Sequence, residues 1–156
     1  MNENISPDYW MRKALREAEK ALELGETPVG AIIVVDGKII GRGGNRVKTL
    51  NDPTAHAEII AIGAAAETTG YERLIEADMY VTLEPCPMCA GAIVLARIPR
   101  LFYGAVDPKM GACESLYTIC SDDRLNHRVQ VFAGIMERET SAILSEFFRA
   151  LRARKK

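Results

Sequence analysis

Apolar residues recur at three- and four-residue spacing between Ser6 and Gly25, which predicts a helix with one buried face. Ser6 is its expected N-cap, a proline follows in the first turn, and Gly25 is expected to end it. The same period returns near the end of the chain and predicts a last helix over about residues 139–154.

Runs of β-branched and apolar residues predict about five strands between these helices. The run Val29–Val35 leads into Asp36-Gly37, a strong two-residue hairpin turn, so residues 38–41 are expected to return antiparallel. The glycines that follow are expected to bend the end of that strand. Further strands are predicted over 79–83, 100–105 and 128–132.

Two more helices are predicted among the strands. One covers about residues 55–67, with Thr54 as its N-cap, and the other starts at Pro87 and runs to about Arg97. Helices between strands imply parallel neighbours and a sheet covered on both faces. We therefore expect a three-layer α/β/α sandwich with a mixed five-stranded sheet, formed by a single domain over residues 1–156.

Composition and charge narrow the functional classes. The chain has 20 Lys+Arg and 21 Asp+Glu, and this balance argues against sequence-independent binding of long nucleic acid. No apolar run reaches the roughly 20 residues of a membrane span, and the first residues lack a signal-peptide pattern. Four cysteines are too few for a disulfide scaffold. We expect a cytoplasmic protein with no membrane partner.

Candidate metal ligands lie in two short motifs, His56-Ala57-Glu58 and Pro85-Cys86-Pro87-Met88-Cys89. Cys86 and Cys89 are three apart at a predicted helix start, so their sulfurs face the same way, and the helix N-terminus favours the thiolate. One imidazole and two thiolates suit zinc. Three protein ligands leave the fourth tetrahedral position for water, as in catalytic zinc sites.

Glu58 stands two residues after the His and has no ligand role to fill. It could take a proton from a zinc-activated water and pass it to a nitrogen of the substrate. This combination predicts hydrolytic deamination. Because residues two apart diverge on a helix, His56 and Glu58 can share a site only at the first turn.

Other interpretations of these residues stay open. A lone Cys-x-x-Cys pair in a cytosolic protein can be redox-active. A structural zinc would need a fourth ligand, for which His127 is a candidate, although its position before a strand favours a surface or binding loop. Cys113 and Cys120 show no paired spacing and receive no role.

The pattern His-x-Glu … Pro-Cys-x-x-Cys resembles that of zinc-dependent deaminases of the cytidine deaminase-like superfamily. Similarity to one family within it, the bacterial tRNA adenosine deaminases, runs from about Tyr9 to Arg152. The stretches that carry it include 27–31, 52–58, 80–86, 89–92, 104–109, 126–128 and 144–149.

This resemblance implies a zinc-dependent homodimer, with one Zn²⁺ per subunit. Its expected reaction converts adenosine to inosine at the wobble position of a tRNA anticodon, with ACG of an arginine tRNA as the expected target. An anticodon loop is single-stranded, so its base can be splayed into a pocket without breaking a duplex.

The resemblance also implies residue roles. His56, Cys86 and Cys89 would hold zinc, Glu58 would move protons, Asn45 and the Ala55 backbone would bind the base, and Pro28 and Val29 would form the pocket wall. The residues expected near the RNA are Asp107, Lys109, Asn126, His127, Arg128, Phe147, Phe148, Arg149 and Arg152.

Some of these residues have simpler explanations. Asn45 could be a turn residue, and the adjacent Phe147 and Phe148 leave a helix about 100° apart, so at least one is expected in the core. Arg149 and Arg152 could belong to a solvated helix face. The competing functions are a free-base or nucleotide deaminase, of the guanine or cytosine type, and a non-enzymatic zinc-stabilised RNA-binding protein.

Overall fold

Five strands form one mixed sheet in the computed structural model, which describes residues 5–155. They are β1 (Gly30–Val35), β2 (Lys38–Gly44), β3 (Asp78–Leu83), β4 (Arg100–Ala105) and β5 (Gln130–Phe132). Their order across the sheet is β2-β1-β3-β4-β5. β1 is antiparallel to both of its neighbours, whereas β3, β4 and β5 are parallel.

Five helices accompany the sheet. They are α1 (Pro7–Glu23), α2 (Val47–Leu50), α3 (Ala57–Thr69), α4 (Pro87–Leu95) and α5 (Glu137–Arg154). Side-chain directions assign α1 and α5 to one face, because Gly30 faces Ala14 and Gly104 faces Thr140. The larger core cluster joins α3 and α4 to the other face. The predicted three-layer sandwich is confirmed, and the extent of the single domain over residues 1–156 stays a prediction.

The central strand β1 is buried on both faces, as its apolar run predicts. Alternate side chains point to opposite faces of a strand, so one apolar run feeds two cores. Ile32 belongs to the cluster that contains Trp10 and Met11, and Ile33 belongs to the cluster that contains Ala61.

The hairpin between β1 and β2 forms as predicted. Asp36 and Gly37 have φ angles of 49° and 72°, the left-handed values that tight hairpin turns of this type require. The predicted end of the second strand near Gly41 is wrong, since β2 continues to Gly44.

Glycines extend β2 because α3 lies directly against the strand backbone. A methyl group at Gly43 would lie 2.3 Å from the carbonyl oxygen of Ala57, and one at Gly41 would lie 2.4 Å from that of Ala61. Such distances exclude a side chain at either position. These glycines therefore set the position of the start of α3.

The prediction of Thr54 as a helix N-cap is wrong, since α3 begins at Ala57 and His56 is the N-cap residue. The Thr54 hydroxyl instead donates to the Asp52 carboxylate over 2.7 Å, so it closes a local turn. The short helix α2 was not predicted. It is a single turn with no buried residue, and it leaves no apolar period in the sequence.

Other boundaries differ by one or two residues. β1 begins at Gly30, α4 ends at Leu95, β5 begins at Gln130 and α5 begins at Glu137. Ser6 is the N-cap of α1 as predicted, although its side chain makes no capping hydrogen bond. Within residues 5–155, no helix combines the length and the apolarity that crossing a membrane requires.

Candidate active site

Three potential metal ligands meet at the N-termini of two helices. His56 is the N-cap of α3, Cys86 is the N-cap of α4, and Cys89 lies in the first turn of α4. Their ligand atoms all lie within 4.8 Å of one another, although the two motifs are far apart in the chain. Both helices direct their positive ends here, which favours anionic sulfur.

The distances within this group suit a tetrahedral ion. His56 Nδ1 lies 3.6 Å from Cys86 Sγ and 3.5 Å from Cys89 Sγ. Zinc–nitrogen and zinc–sulfur bonds at a tetrahedral angle place these atoms about 3.6 Å apart. One nitrogen and two sulfurs are also a donor set that zinc accepts. The three residues therefore fit a catalytic-type zinc site with one open position.

The protonation of the two sulfurs is unequal. The hydrogen bond from the Cys89 thiol lowers the pKa of Cys86 to about 4, and the His56 ring acts in the same direction. The Cys86 sulfur, together with burial, raises the pKa of Cys89. Two adjacent sulfurs ionise together only beside a positive charge, which a bound dication would provide.

Glu58 is a buried carboxyl beside this group. Glu58 is only 4% exposed, and burial raises the pKa of its carboxyl to about 7. It occupies the second position of α3, directly after the N-cap His56 and Ala57. The first-turn geometry that a shared site requires is therefore present.

A cavity of about 180 Å³ lies beside the potential ligands. Six of the predicted site residues line it, namely Val29, Asn45, His56, Glu58, Cys86 and Asp107. Thr27, Ala57, Leu83, Glu84 and Met110 complete the lining. Pro28 and Ala55 are buried nearby and are not among the lining residues. The structure thus brings together an apolar wall, an amide and three carboxylates around the potential metal site.

Asn45 is a turn residue, as one interpretation of the sequence predicts, and its role in binding the base stays a prediction. Its side-chain oxygen accepts a hydrogen bond from the Val47 backbone over 3.3 Å, which is a turn contact, while the same side chain lines the cavity. The backbone of Ala55 is already engaged within the chain. Its N–H donates to Asp52 and its carbonyl accepts from Arg46.

The predicted RNA-contact residues outside the cavity lie on two other surfaces. Lys109 is exposed next to Asp107, and Asn126 and Arg128 are exposed on the segment before β5. The His127 ring nitrogen Nε2 lies 2.8 Å from the Ile98 carbonyl oxygen. This ring is not part of the potential ligand group of His56, Cys86 and Cys89.

Helix α5 carries the remaining predicted residues. Phe147 is half-buried in a groove that it shares with Leu22 and Ile143, and Phe148 is 43% exposed. The expectation that at least one of the two is a core residue is wrong, because α5 buries Thr140 and Leu144 instead. Arg149 and Arg152 are exposed.

Glu84 and Glu26 are buried glutamates for which the sequence predicted no role. Glu84 lines the cavity, and Glu26 accepts hydrogen bonds from the Lys48 backbone and from both the backbone and hydroxyl of Thr49. Glu26 therefore anchors α2, which follows Asn45. A sequence signal existed for Glu84, since a charged residue there directly follows an apolar strand.

The side chains of Cys113 and Cys120 contact each other in the core as free thiols. Their sulfurs lie 3.8 Å apart, and both residues are buried. The neighbouring Cys120 sulfur and burial raise the pKa of Cys113, which is typical of an unreactive thiol. Neither residue belongs to the potential ligand group.

A His/Cys/Cys group at two helix N-termini, opening on a cavity with a buried glutamate, defines this fold as that of a cytidine deaminase-like enzyme. A family model described as MafB19-like deaminase matches residues 5–152. The tRNA-specific adenosine deaminase of Agrobacterium fabrum is 53% identical over 144 residues, which cover 92% of this chain and 95% of that protein.

Solved structures of deaminases are also similar to this chain. One, from work on A-to-I editing by tRNA:A34 deaminases at the wobble position, has a TM-score of 0.84 and 53% identity, covering 87% of this chain and 99% of that chain. A guanine deaminase from Bacillus subtilis has a TM-score of 0.63 and 43% identity, covering 65% and 66%. The chain belongs to the family of tRNA-specific adenosine deaminases, as its motifs predict.

Proposed function

We propose that this enzyme converts adenosine to inosine at the wobble position of a tRNA anticodon, with ACG of an arginine tRNA as its target. The observation that carries the proposal is the group His56, Cys86 and Cys89 beside buried Glu58 in one cavity. Its relatives, named for tRNA adenosine deamination, supply the substrate class.

We propose zinc as the cofactor, held by His56, Cys86 and Cys89. In a three-ligand site, zinc supplies a Lewis acid that activates water near neutral pH. The separations of 3.5 and 3.6 Å between ligand atoms and the soft sulfur donors support this choice.

Glu58 is the proposed proton carrier. As water adds to C6 of adenine, a carboxylate here accepts one proton of the water and delivers it to the ring nitrogen, and it then carries the second proton from the added oxygen to the leaving amino group. A C–O bond forms, the C–N bond breaks, and ammonia leaves. The burial of Glu58 in the cavity wall supports this role, because its carboxyl would lie beside a base bound in the cavity.

The rest of the cavity would orient the base. The Asn45 amide can donate to an acceptor on adenine, while its oxygen is engaged by Val47. Val29 and Leu83 offer apolar walls, with Pro28 buried behind them. The proposed role of Ala55 rests on the free lone pair of its carbonyl, because its N–H already donates to Asp52.

The surfaces around the cavity would hold the anticodon stem-loop. Asp107 lines the cavity itself, and the exposed Lys109 lies two residues further along the chain. Arg128, exposed on the segment before β5, is a further proposed contact. Further contacts are proposed for Asn126, His127, Phe147, Phe148, Arg149 and Arg152. The exposed Phe148 ring and the two arginines on α5 are suited to base stacking and phosphate binding.

We also propose that the enzyme is a cytoplasmic homodimer. α3 and α4 carry apolar residues around most of their circumference, including Leu95, which is 75% exposed. A helix that is apolar all round is normally buried. A two-fold contact through α3 and α4 would cover these residues with the same surface of a second copy.

Inosine formation in an ACG anticodon stem-loop tests this proposal directly, with free adenosine, cytidine and guanine assayed in parallel. Inosine in the stem-loop alone supports a wobble-adenosine deaminase. Turnover of a free base or nucleoside instead would favour the guanine- or cytosine-type alternative, for which the similarity to the Bacillus subtilis guanine deaminase provides a basis.

A further inference from the structure

Glu84 lies at the carboxyl end of β3, just before the segment that carries Cys86. Glu84 is only 2% exposed, yet it is one of the residues that line the cavity. A buried carboxylate is costly unless hydrogen bonds replace the water it has lost. Its partners therefore indicate what it does.

All of those partners belong to one segment, residues 107–115, which we call the pocket loop. Oε1 accepts from the Asp107 N–H over 3.0 Å and from the Ser115 hydroxyl over 2.5 Å. Oε2 accepts from the N–H groups of Cys113, Glu114 and Ser115 over 3.2, 2.9 and 2.9 Å. One side chain thus binds both ends of the pocket loop.

The middle of the pocket loop is also shaped around this carboxylate. A methyl group at Gly111 would lie 2.4 Å from both Cδ and Oε2 of Glu84, so only glycine fits there. The Asp107 carboxylate accepts from the N–H groups of Lys109 and Met110, which closes the intervening turn. The pocket loop has no helix or strand of its own between β4 and β5.

The pocket loop supplies two lining residues of the cavity, Asp107 and Met110. Met110 is 53% exposed, so core packing does little to fix this part of the loop. Two sets of contacts anchor the loop: Ala112 and Cys113 are buried in the core, with the Ala112 N–H donating to the Pro85 carbonyl, and Glu84 binds the loop at both ends. The position of the cavity wall therefore depends in part on Glu84.

We propose that Glu84 is a positioning residue that holds the pocket loop against the bound adenosine. This inference rests on the proposed function and adds a specificity element to the same site. Glu84 acts on substrate through Asp107 and Met110, and its location before Cys86 ties the cavity wall to the strand that leads to the potential metal ligands.

A carboxylate is the group that this role requires. All five partners are donors, and an ionised carboxylate offers two acceptor oxygens. Glutamine has the same shape but would direct an NH₂ group at some of these donors. Glu84→Gln should therefore release part of the pocket loop while changing little else.

The test compares the dimeric, zinc-loaded wild type with Glu84→Gln by hydrogen exchange, by metal content, and by kcat and KM on the ACG stem-loop. Exchange should accelerate at the amides of Asp107, Cys113, Glu114 and Ser115, and KM should rise about tenfold with unchanged metal content. A smaller folded fraction would lower kcat alone and leave KM unchanged.

Glu23→Gln is the matched control, since Glu23 is exposed at the end of α1 and belongs to neither the pocket loop nor the cavity lining. It should behave as wild type. Unchanged exchange and unchanged KM in Glu84→Gln would overturn the proposal.

Two loop variants decide the matter if Glu84→Gln loses metal. Ser115→Ala removes one hydrogen bond to Glu84, and Gly111→Ala places a methyl group against the Glu84 carboxylate. Neither variant changes residue 84 itself. A higher KM with full metal content in these variants supports the proposal, and a wild-type KM in both overturns it. Hydrogen exchange separates this outcome from a failed function: an inactive wild type refutes the proposed substrate, whereas accelerated exchange in Glu84→Gln still demonstrates the anchor.

Discussion

His56 Nδ1 lies 3.6 Å from Cys86 Sγ, although 30 positions separate these residues in the chain. Each is the N-cap of its own helix, and both helices belong to one layer against the sheet. The proposed metal site thus depends on the relative placement of α3 and α4.

Loss of a sulfur ligand should remove the metal. Cys86→Ser replaces a soft donor with a hard one, so metal content should fall at least about tenfold and activity with it. Loss of a ligand present at about 100 times its Kd should lower the melting temperature by about 5–10 °C. Metal analysis and calorimetry measure both effects. Cys113→Ala, which alters a core thiol outside the ligand group, should keep full metal content.

Removal of the proton carrier should separate binding from chemistry. Glu58→Gln preserves the shape of the side chain, so metal content and RNA affinity should stay at wild-type levels while kcat falls by about 10²–10⁴-fold. Single-turnover assays at saturating stem-loop measure the chemical step. Glu67→Gln, an exposed position of the same helix, is the control and should be neutral. Full activity in Glu58→Gln would refute the assigned role.

The contact between β2 and α3 should tolerate no side chain at Gly43. Gly43→Ala places a methyl group 2.3 Å from the Ala57 carbonyl, and overpacking of this kind costs about 1–3 kcal/mol. Because the displaced backbone lies between His56 and Glu58, metal affinity should fall as well. Urea denaturation and metal titration measure the two effects. Gly63 lies on α3, and a methyl group there would have no atom within 4 Å. Gly63→Ala should therefore raise the free energy of unfolding by about 0.5–1 kcal/mol.

Stability should depend on pH through Glu26. Burial raises the pKa of its carboxyl, but hydrogen bonds from Thr49 and from the Lys48 backbone outweigh it and hold the pKa below its ordinary value of 4.5. A lowered folded-state pKa contributes stability above pH 4.5 that is lost as the pH falls through the folded value. The melting-temperature gap between wild type and Glu26→Gln should therefore be largest near neutral pH and shrink in acid.

Scanning calorimetry over a series of buffers measures this gap. Glu72→Gln, at an exposed position, should give the wild-type melting temperature throughout. A gap for Glu26→Gln that stays constant into acid would show that the ionisation of Glu26 does not contribute to stability.

The arginines of α5 should affect RNA binding only. Arg149→Ala combined with Arg152→Ala should weaken stem-loop affinity and reduce its salt dependence by about one unit of slope for each lost phosphate contact. Zinc content should not change. Arg12→Ala combined with Arg16→Ala removes the same charge from exposed positions of α1 and should leave affinity intact. Equal affinities for both double variants would remove the α5 assignment.

Much of the fold was predictable because local signals agreed with the final structure. The run Val29–Val35 and the Asp36-Gly37 turn specify a hairpin within a few residues of chain, and Pro87 marks the start of α4. The course of β2 was not predictable in this way. Its glycines look like a loose strand end until α3 is seen to lie against them.

The site followed the same division. The sequence presents His56, Cys86 and Cys89 as a motif, because the proposed function of each lies in its side chain. Glu84 and Glu26 instead accept hydrogen bonds from backbone N–H groups distant in sequence, which no motif records. The α5 phenylalanines show the opposite error. Helical geometry indicates that adjacent side chains diverge, but it does not reveal that both lie near the rim of the helix contact.

The separation of 30 residues between His56 and Cys86 gives a bound ion a further consequence for the chain. An ion held by both residues acts as a cross-link that closes a loop containing α3 and β3. In the unfolded chain such a closure reduces conformational entropy, much as a disulfide would. Loss of the cross-link should therefore lower the free energy of unfolding by restoring entropy to the unfolded chain, in addition to removing the bonds to the ion.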